Sequence, residues 1–386
     1  MKKISSQAYT PGLKRRKLCI VEKSRILPIS GEVLVNEGDN VYPDTLVART
    51  NVPGEPRIVK VALALGVDTD VDQIENYMLK KSGESITKNE PIAQFRALWG
   101  LINKICYSPV SGTVESISNL SGYVIVREDP ISVELNAYIT GIIEKILPNE
   151  GVIVRTPASL IQGIFGIGGE THGELMIMSK SPEDILEAEQ VTSECAGKIL
   201  IAGAIVTAEA LRKAVDVGAK GIIVGGIESK DLKDFLGYDI GVAITGHEEV
   251  GITLILTEGF GKMKMLEKTF ELLKEFEGKL ACINGTTQIR AGVMRPEVII
   301  PRGDVNISQI PKHYNEETLT SEGLKPGTII RLIRKPYFGA LGKVISLPVE
   351  LQQLETESKV RVLEVELEDG RRIIVKARAN VEIIEE

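Results

Sequence analysis

Short runs of valine and isoleucine, each cut by glycine or proline, fill the first half of this 386-residue chain and point to a β fold there. Pro28-Ile-Ser-Gly31-Glu-Val33 is followed by Asn36-Glu-Gly38-Asp39-Asn-Val41 and then by Leu46-Val-Ala48. Ser82-Gly83-Glu84-Ser-Ile86 and Pro91-Ile-Ala93 repeat that order. Ser108-Pro-Val-Ser-Gly112-Thr-Val114 begins another copy, and Tyr138-Ile-Thr-Gly141-Ile-Ile143 a fourth. Glycine permits the tight turn and the acidic residue after it caps that turn. Punctuation at roughly eight- to twelve-residue spacing is the mark of sandwiches and barrels. Residues 1–190 are therefore expected to be almost entirely β.

The arrangement G-x-V, then G-D/E-x-V, then I-A resembles the biotinyl/lipoyl-like barrel-sandwich hybrid. A carrier domain of that kind presents a lysine at a hairpin tip, within a motif such as Met-Lys-Met for biotin. Between Ala93 and Ser108 this chain instead reads Gln94-Phe-Arg-Ala-Leu-Trp-Gly-Leu-Ile-Asn-Lys104, and Lys104 lacks those neighbours. The literal Met263-Lys264-Met265 opens a helical pattern, with Met265, Leu266, Thr269, Leu272, Leu273 and Phe276 at core spacing. No prosthetic group, and no other cofactor, is expected. Gly163-Ile-Phe-Gly166-Ile-Gly168-Gly169-Glu170 resembles the glycine-rich flavin loop of electron-transport subunits. Those subunits carry cysteine clusters that this chain lacks, so the glycines are read as a turn or bulge beside a strand at Leu175–Met178.

From about residue 191 to 305 the pattern becomes α/β. Lys198–Ile201, Gly221–Gly225, Val242–Ile244, Thr253–Leu256, Leu280–Ile283 and Val298–Ile300 read as strands. Thr207 caps a helix over 208–217, Ser229 caps a short one ending at Gly237, and residues 262–277 give the longest. Apolar strands alternating with helices imply a mostly parallel sheet covered on both faces. Ligands bind at the carboxyl edge of such a sheet. The loops assigned to that edge hold His247, Glu248, Glu258, Asn284, Gln288 and Arg290, the candidate ligand-binding residues. His247, Glu248 and Glu258 suit metal ligation or acid–base work, and Arg290 could fork onto a carboxylate or phosphate. The other reading is a set of ordinary polar turns, with Arg290 pairing Glu258.

Beyond Gly323 the chain reads as strands again. Gly327-Thr-Ile-Ile-Arg-Leu-Ile-Arg-Lys-Pro-Tyr-Phe-Gly-Ala-Leu-Gly-Lys-Val leads to Val344-Ile-Ser346. Asp369-Gly370 makes a hairpin between Leu363–Leu367 and Ile373–Val375. This tail, 320–386, resembles a KOW motif, the SH3-like barrel of ribosomal proteins and elongation factors. The resemblance implies contact with RNA or with protein. Arg331, Arg334 and Lys335 would meet phosphates, while Tyr337 and Phe338 would stack on bases or fill the barrel core.

Composition narrows the options. A formal charge of −7 opposes a protein that coats nucleic acid, despite Lys14-Arg15-Arg16-Lys17. The cysteines, Cys19, Cys106, Cys195 and Cys282, lie too far apart for a zinc or iron–sulfur set, and no metal is expected. The N-terminus has no apolar core of a signal peptide and no stretch approaches a membrane span, so a soluble cytoplasmic protein is expected. No Walker loop, G-x-S-x-G or HExxH occurs. The chain thus reads as multi-domain α+β: an N-terminal barrel-sandwich hybrid region (1–190), a central α/β parallel-sheet domain (191–305) and an SH3-like barrel (320–386). Its expected function is a non-enzymatic scaffold or adaptor for a large protein or ribonucleoprotein complex. A ligand-binding enzyme, an RNA-binding tail and a homo-oligomer remain open.

Overall fold

A computed structural model describes residues 13–68, 73–97, 102–238, 250–287, 295–305, 324–332, 337, 340–348, 350–353, 359–375 and 381–385. Strands take 50% of the chain and helices 13%, which makes it a mainly β protein of several sheets with a minor α part. Among the described residues no helix is long and apolar enough to cross a membrane.

The first β unit is built on a ribbon. Strand Leu13–Ile26 runs antiparallel to Gly151–Gln162 from Arg15↔Ile161 to Ile26↔Gly151. Strands Asn40–Val41 and Gly141–Leu147 join it, and Val41, Val47, Ile139, Ile143, Val152 and Val154 form its core. Strand Leu46–Val52 pairs antiparallel with Ile131–Asn136. The described residues between those two strands make a second β unit, with a short helix α1 (Val61–Leu65) and its own core of Val59, Leu65, Ile86, Ile92, Val114 and Val124. A whole unit is therefore inserted at the end of one hairpin of another.

The repeat holds at atomic level. Asn36 N donates to Asp39 Oδ2 at 2.7 Å, and Lys81 N donates to Glu84 Oε2 at 2.8 Å. Gly38 and Gly83 sit between them with φ of 88° and 89°, a region that L side chains avoid. Their amides donate to the carbonyls of Ile143 and Val114, each at 2.8 Å. Val41, Val47 and Ala48 in the first unit are buried, as are Ile86, Ile92 and Ala93 in the second.

Strands Glu170–Ile177, Lys198–Ile201, Gly221–Ile227 and Thr253–Phe260 lie side by side and parallel. Alternate residues bury on opposite faces: Leu200, Ile222 and Leu254 on one, Ile199, Ile223 and Ile255 on the other. Helices α2 (Ala208–Asp216) and α3 (Ser229–Leu236) follow in sequence, α2's Leu211 and Ala214 and α3's Leu232 lying in the first core, while α4 (Glu267–Glu275) adds Phe270 and Leu273 to the second. Two-sided burial explains why these strands read as unbroken apolar runs. Thr207 Oγ1 accepts from Ala210 N at 3.2 Å, as expected of a cap. For α3 the cap position is Glu228, and Ser229 is the first helical residue. The pairing runs across residue 190, since Phe165–Ile167 and Glu170–Ile177 belong to the same sheet as the strands after it. Val242–Ile244 lies outside the described residues.

Two expectations need correction. Strand Leu280–Asn284 is antiparallel to Glu170–Ile177, so this part of the sheet is mixed. The helix expected from residue 262 begins at Glu267, because residues 261–265 cross closely over Gly225 and Gly226 of strand Gly221–Ile227 before it.

At the C-terminal end, strands Ile329–Leu332, Leu341–Ser346, Leu363–Leu367, Arg372–Val375 and Val381–Glu385 pair antiparallel around Ile330, Val344, Leu363 and Val365. Gly370, at φ 81°, turns the expected hairpin. Two rungs of parallel pairing, Leu13↔Ile384 and Lys14↔Glu385, tie this segment to the opening strand.

Candidate functional site

Strand Thr253–Phe260 is buried along nearly its whole length, so a carboxylate on it must find partners inside the protein. Glu258 is 4% exposed and finds two. Its Oε1 accepts from Leu266 N at 3.1 Å, at the entry to α4, where Leu266 offers no side-chain cap of its own. Its Oε2 accepts from Arg331 Nη1 at 2.5 Å, and the same nitrogen donates to the Glu258 carbonyl at 3.2 Å. Burial pushes the Glu258 carboxyl above its ordinary range, against the pull of Arg331 and the Leu266 amide.

The segment after Glu258 covers the ends of the parallel strands. A Cβ on Gly225 would lie 2.2 Å from the Met263 carbonyl oxygen, and one on Gly226 would lie 2.4 Å from that of Gly261. Only glycines admit so close a crossing. The chain's own backbone thus fills part of the edge where an open sheet binds ligands. Beyond it lies a crevice of about 480 Å³, lined by Glu258, Phe260, Met263 and Leu266 on one side and by Leu341 and Glu368 on the other.

Asn284 does not join this group. It pairs with Glu170, at the amino end of the parallel strands, because its own strand runs the opposite way. Its Oδ1 accepts from Thr286 N at 2.9 Å and closes a local turn. Arg331, expected to face RNA phosphates, is 2% exposed, and its guanidinium holds Glu258. Tyr337 packs half-buried against the C-terminal core, with the Arg371 guanidinium 5.9 Å from its ring centre. His247, Glu248, Gln288, Arg290, Arg334, Lys335 and Phe338 lie outside the described residues.

Sequence reading missed a second polar cluster, where the first β unit meets the large sheet. Tyr138 is buried with φ of 68°, a costly conformation for a bulky residue, of about 1–3 kcal/mol. That turn sends its ring beneath Arg25 (5.4 Å) and its hydroxyl to Glu297 Oε1 (3.4 Å). Arg25 forks onto both oxygens of Glu170 at 2.7 and 2.8 Å, and Lys23 Nζ donates to Glu297 at 2.7 Å. His172 Nε2 lies 3.2 Å from Asp44 Oδ2. Burial pushes the Cys282 thiol up to about 12, so it stays protonated and is no nucleophile. The Tyr138 hydroxyl is raised well above its usual range, chiefly by burial and then by Glu297. The cluster comes from six separate stretches of chain, and no spacing in the sequence announces it. Its charges pair with one another where the first β unit meets the large sheet.

Among the described residues no group of three or more His, Cys, Asp or Glu could hold a metal ion. No family model matches the chain, and no curated protein resembles it at a significant level.

Proposed function

We propose that this chain is a non-enzymatic adaptor in which paired barrel-sandwich hybrid units, a central α/β part that includes strands 165–177, and an SH3-like tail of KOW type serve a large complex. The observation that carries this reading is the apolar end of the second β unit. Leu120, on the turn after strand Gly112–Ser118, is 93% exposed, and Leu63, on helix α1, is 76% exposed. Ala62 N donates to Gly122 O at 3.0 Å, which brings that helix and that turn together. On the adjoining sheet Val124 and Val126 point inward, and Tyr123 and Ile58 are exposed. Single exposed apolar residues are ordinary, but a group of them marks a contact surface.

Ser116, Ser121 and Lys60, exposed on the neighbouring strand, turn and helix entry, are mostly uncharged, and we take the partner to be a protein offering an apolar groove. The crossing at Gly225 and the internal pairing of Glu258 support this reading over catalysis at the strand ends.

The test is the mass of the complex recovered from native cells with the intact chain and with Leu63→Glu/Leu120→Glu. A defined heteromeric complex lost in the double variant is expected. The reading fails if the intact chain runs as an isolated monomer, or if binding to anionic vesicles is the only activity the variant loses. A second reading, small-ligand binding, is favoured by the 480 Å³ crevice beside Glu258. A thermal shift abolished by Leu341→Trp would support it.

A further inference from the structure

We infer that the Glu258–Arg331 pair is a latch holding the C-terminal β segment shut over the carboxyl end of strand Thr253–Phe260, and that breaking it frees this segment while both sides stay folded. On strand Ile329–Leu332, Ile330 and Leu332 belong to the segment's own core. Arg331, between them, points the other way and enters the body of the protein. There it meets a carboxylate that also holds the entry of α4, so one pair joins three elements.

Among the described residues the rest of the joint is thin. The C-terminal apolar cluster draws only on residues 324–383 among those described, so no common core spans the joint. Two parallel rungs at Leu13 and Lys14 support one side. Below them a cavity of about 20 Å³, lined by Leu13, Thr257, Glu258 and Ile384, has room for about one water. On the other side the 480 Å³ crevice interrupts the packing between Leu266 and Leu341. A buried ion pair adds little net stability over apolar residues, but it demands one geometry, and removing Arg331 leaves the buried Glu258 carboxylate with only the Leu266 amide, the Thr257 side chain and the pull of Arg15 among the groups that favour its charge. A polar, geometrically exacting joint between two separately cored clusters gives way as a unit once its pair is broken.

Thr257, which is buried and lines the same small cavity as Ile384, is the reporter. Thr257→Cys is labelled with a maleimide under native conditions, against the four native cysteines, all buried. Adding Arg331→Met, or Glu258→Gln from the other side, is expected to speed labelling of the introduced thiol at least about a hundredfold, the effect of a buried charge losing its partner. Labelling at Cys195 and Cys282 should not change. Acceleration of all thiols together, or no acceleration at position 257, overturns the latch. Should the variants not fold, the Thr257→Cys protein alone decides. In low urea its labelling should depend on denaturant more weakly than that of Cys282, and equal dependence overturns the proposal.

Discussion

The two β units share one turn, one strand order and one pattern of buried residues, yet they sit in the molecule differently. The first is locked to the large sheet by Lys23, Arg25, Tyr138, Glu170 and Glu297, and its ribbon continues directly into that sheet through Ala158↔Pro301. The second hangs from a single hairpin, ends its ribbon after the four residues of Pro56–Val59, and exposes Leu63 and Leu120. The repeat thus specifies the unit, while the residues outside it decide whether the unit is anchored or free.

Core truncation tests this most strongly. Ile143→Ala in the first unit and Ile92→Ala in the second remove equally buried side chains, and each is expected to cost about 2–5 kcal/mol. Hydrogen exchange should show the loss spreading into strand Gly151–Gln162 for Ile143 and confined to residues 56–128 for Ile92. Spreading in both cases would mean that the second unit is not free. Next in size, Gly38→Ala and Gly83→Ala face open space, so the left-handed backbone alone is penalised, by about 1–2 kcal/mol in each copy. Chemical denaturation should give matching losses, and a clear mismatch would break the equivalence of the turns.

Tyr138→Phe removes the hydroxyl that reaches Glu297 and is expected to cost about 1 kcal/mol, with no counterpart in the second unit. The smallest effect concerns acid. The repeat places Glu90 where the first unit has Thr45. Lys80 first, then the Thr87 amide and hydroxyl, hold the Glu90 carboxyl at about 2. A carboxyl depressed in the folded state stabilises fully above its unfolded value and loses that stabilisation as pH falls through its folded one. Acid should therefore loosen the Thr87–Glu90 turn of the second unit between about pH 4.5 and 2, while the Tyr42–Thr45 turn at the same place in the first is held by a hydroxyl rather than a carboxyl. Carboxyl NMR titration, with Glu90→Gln as control, checks this.

Much of the local architecture was legible in the sequence because its causes are local. A glycine followed by an acid makes the same turn wherever it stands, and apolar runs of strand length bury on two faces. What stayed hidden depends on partners distant in sequence. Nothing within Leu280–Asn284 encodes its direction, and assuming it parallel placed Asn284 beside Glu258 instead of at the opposite edge. The helical spacing that opens at Met265 extrapolates back to residue 262, but residues 261–265 cross instead over the glycines of strand Gly221–Ile227. Arg331 reads as the polar position of a half-exposed strand. Its burial follows only from a carboxylate 73 residues earlier in the chain. The cluster around Tyr138 is of the same kind, assembled by tertiary contacts from residues that look like surface charges in isolation.

The pairing of Leu13 with Ile384 also sets an order of events. Residues 56–128 close on themselves and can fold as soon as that stretch leaves the ribosome. The opening strand has a long wait by comparison. Its first rungs need the last described strand, and closing a loop of that span is among the slowest kinds of contact for a chain to find. During synthesis the edge at Leu13 therefore waits for this partner until strand Val381–Glu385 has been made, and its pairing with Ile384 comes late in folding rather than at its start.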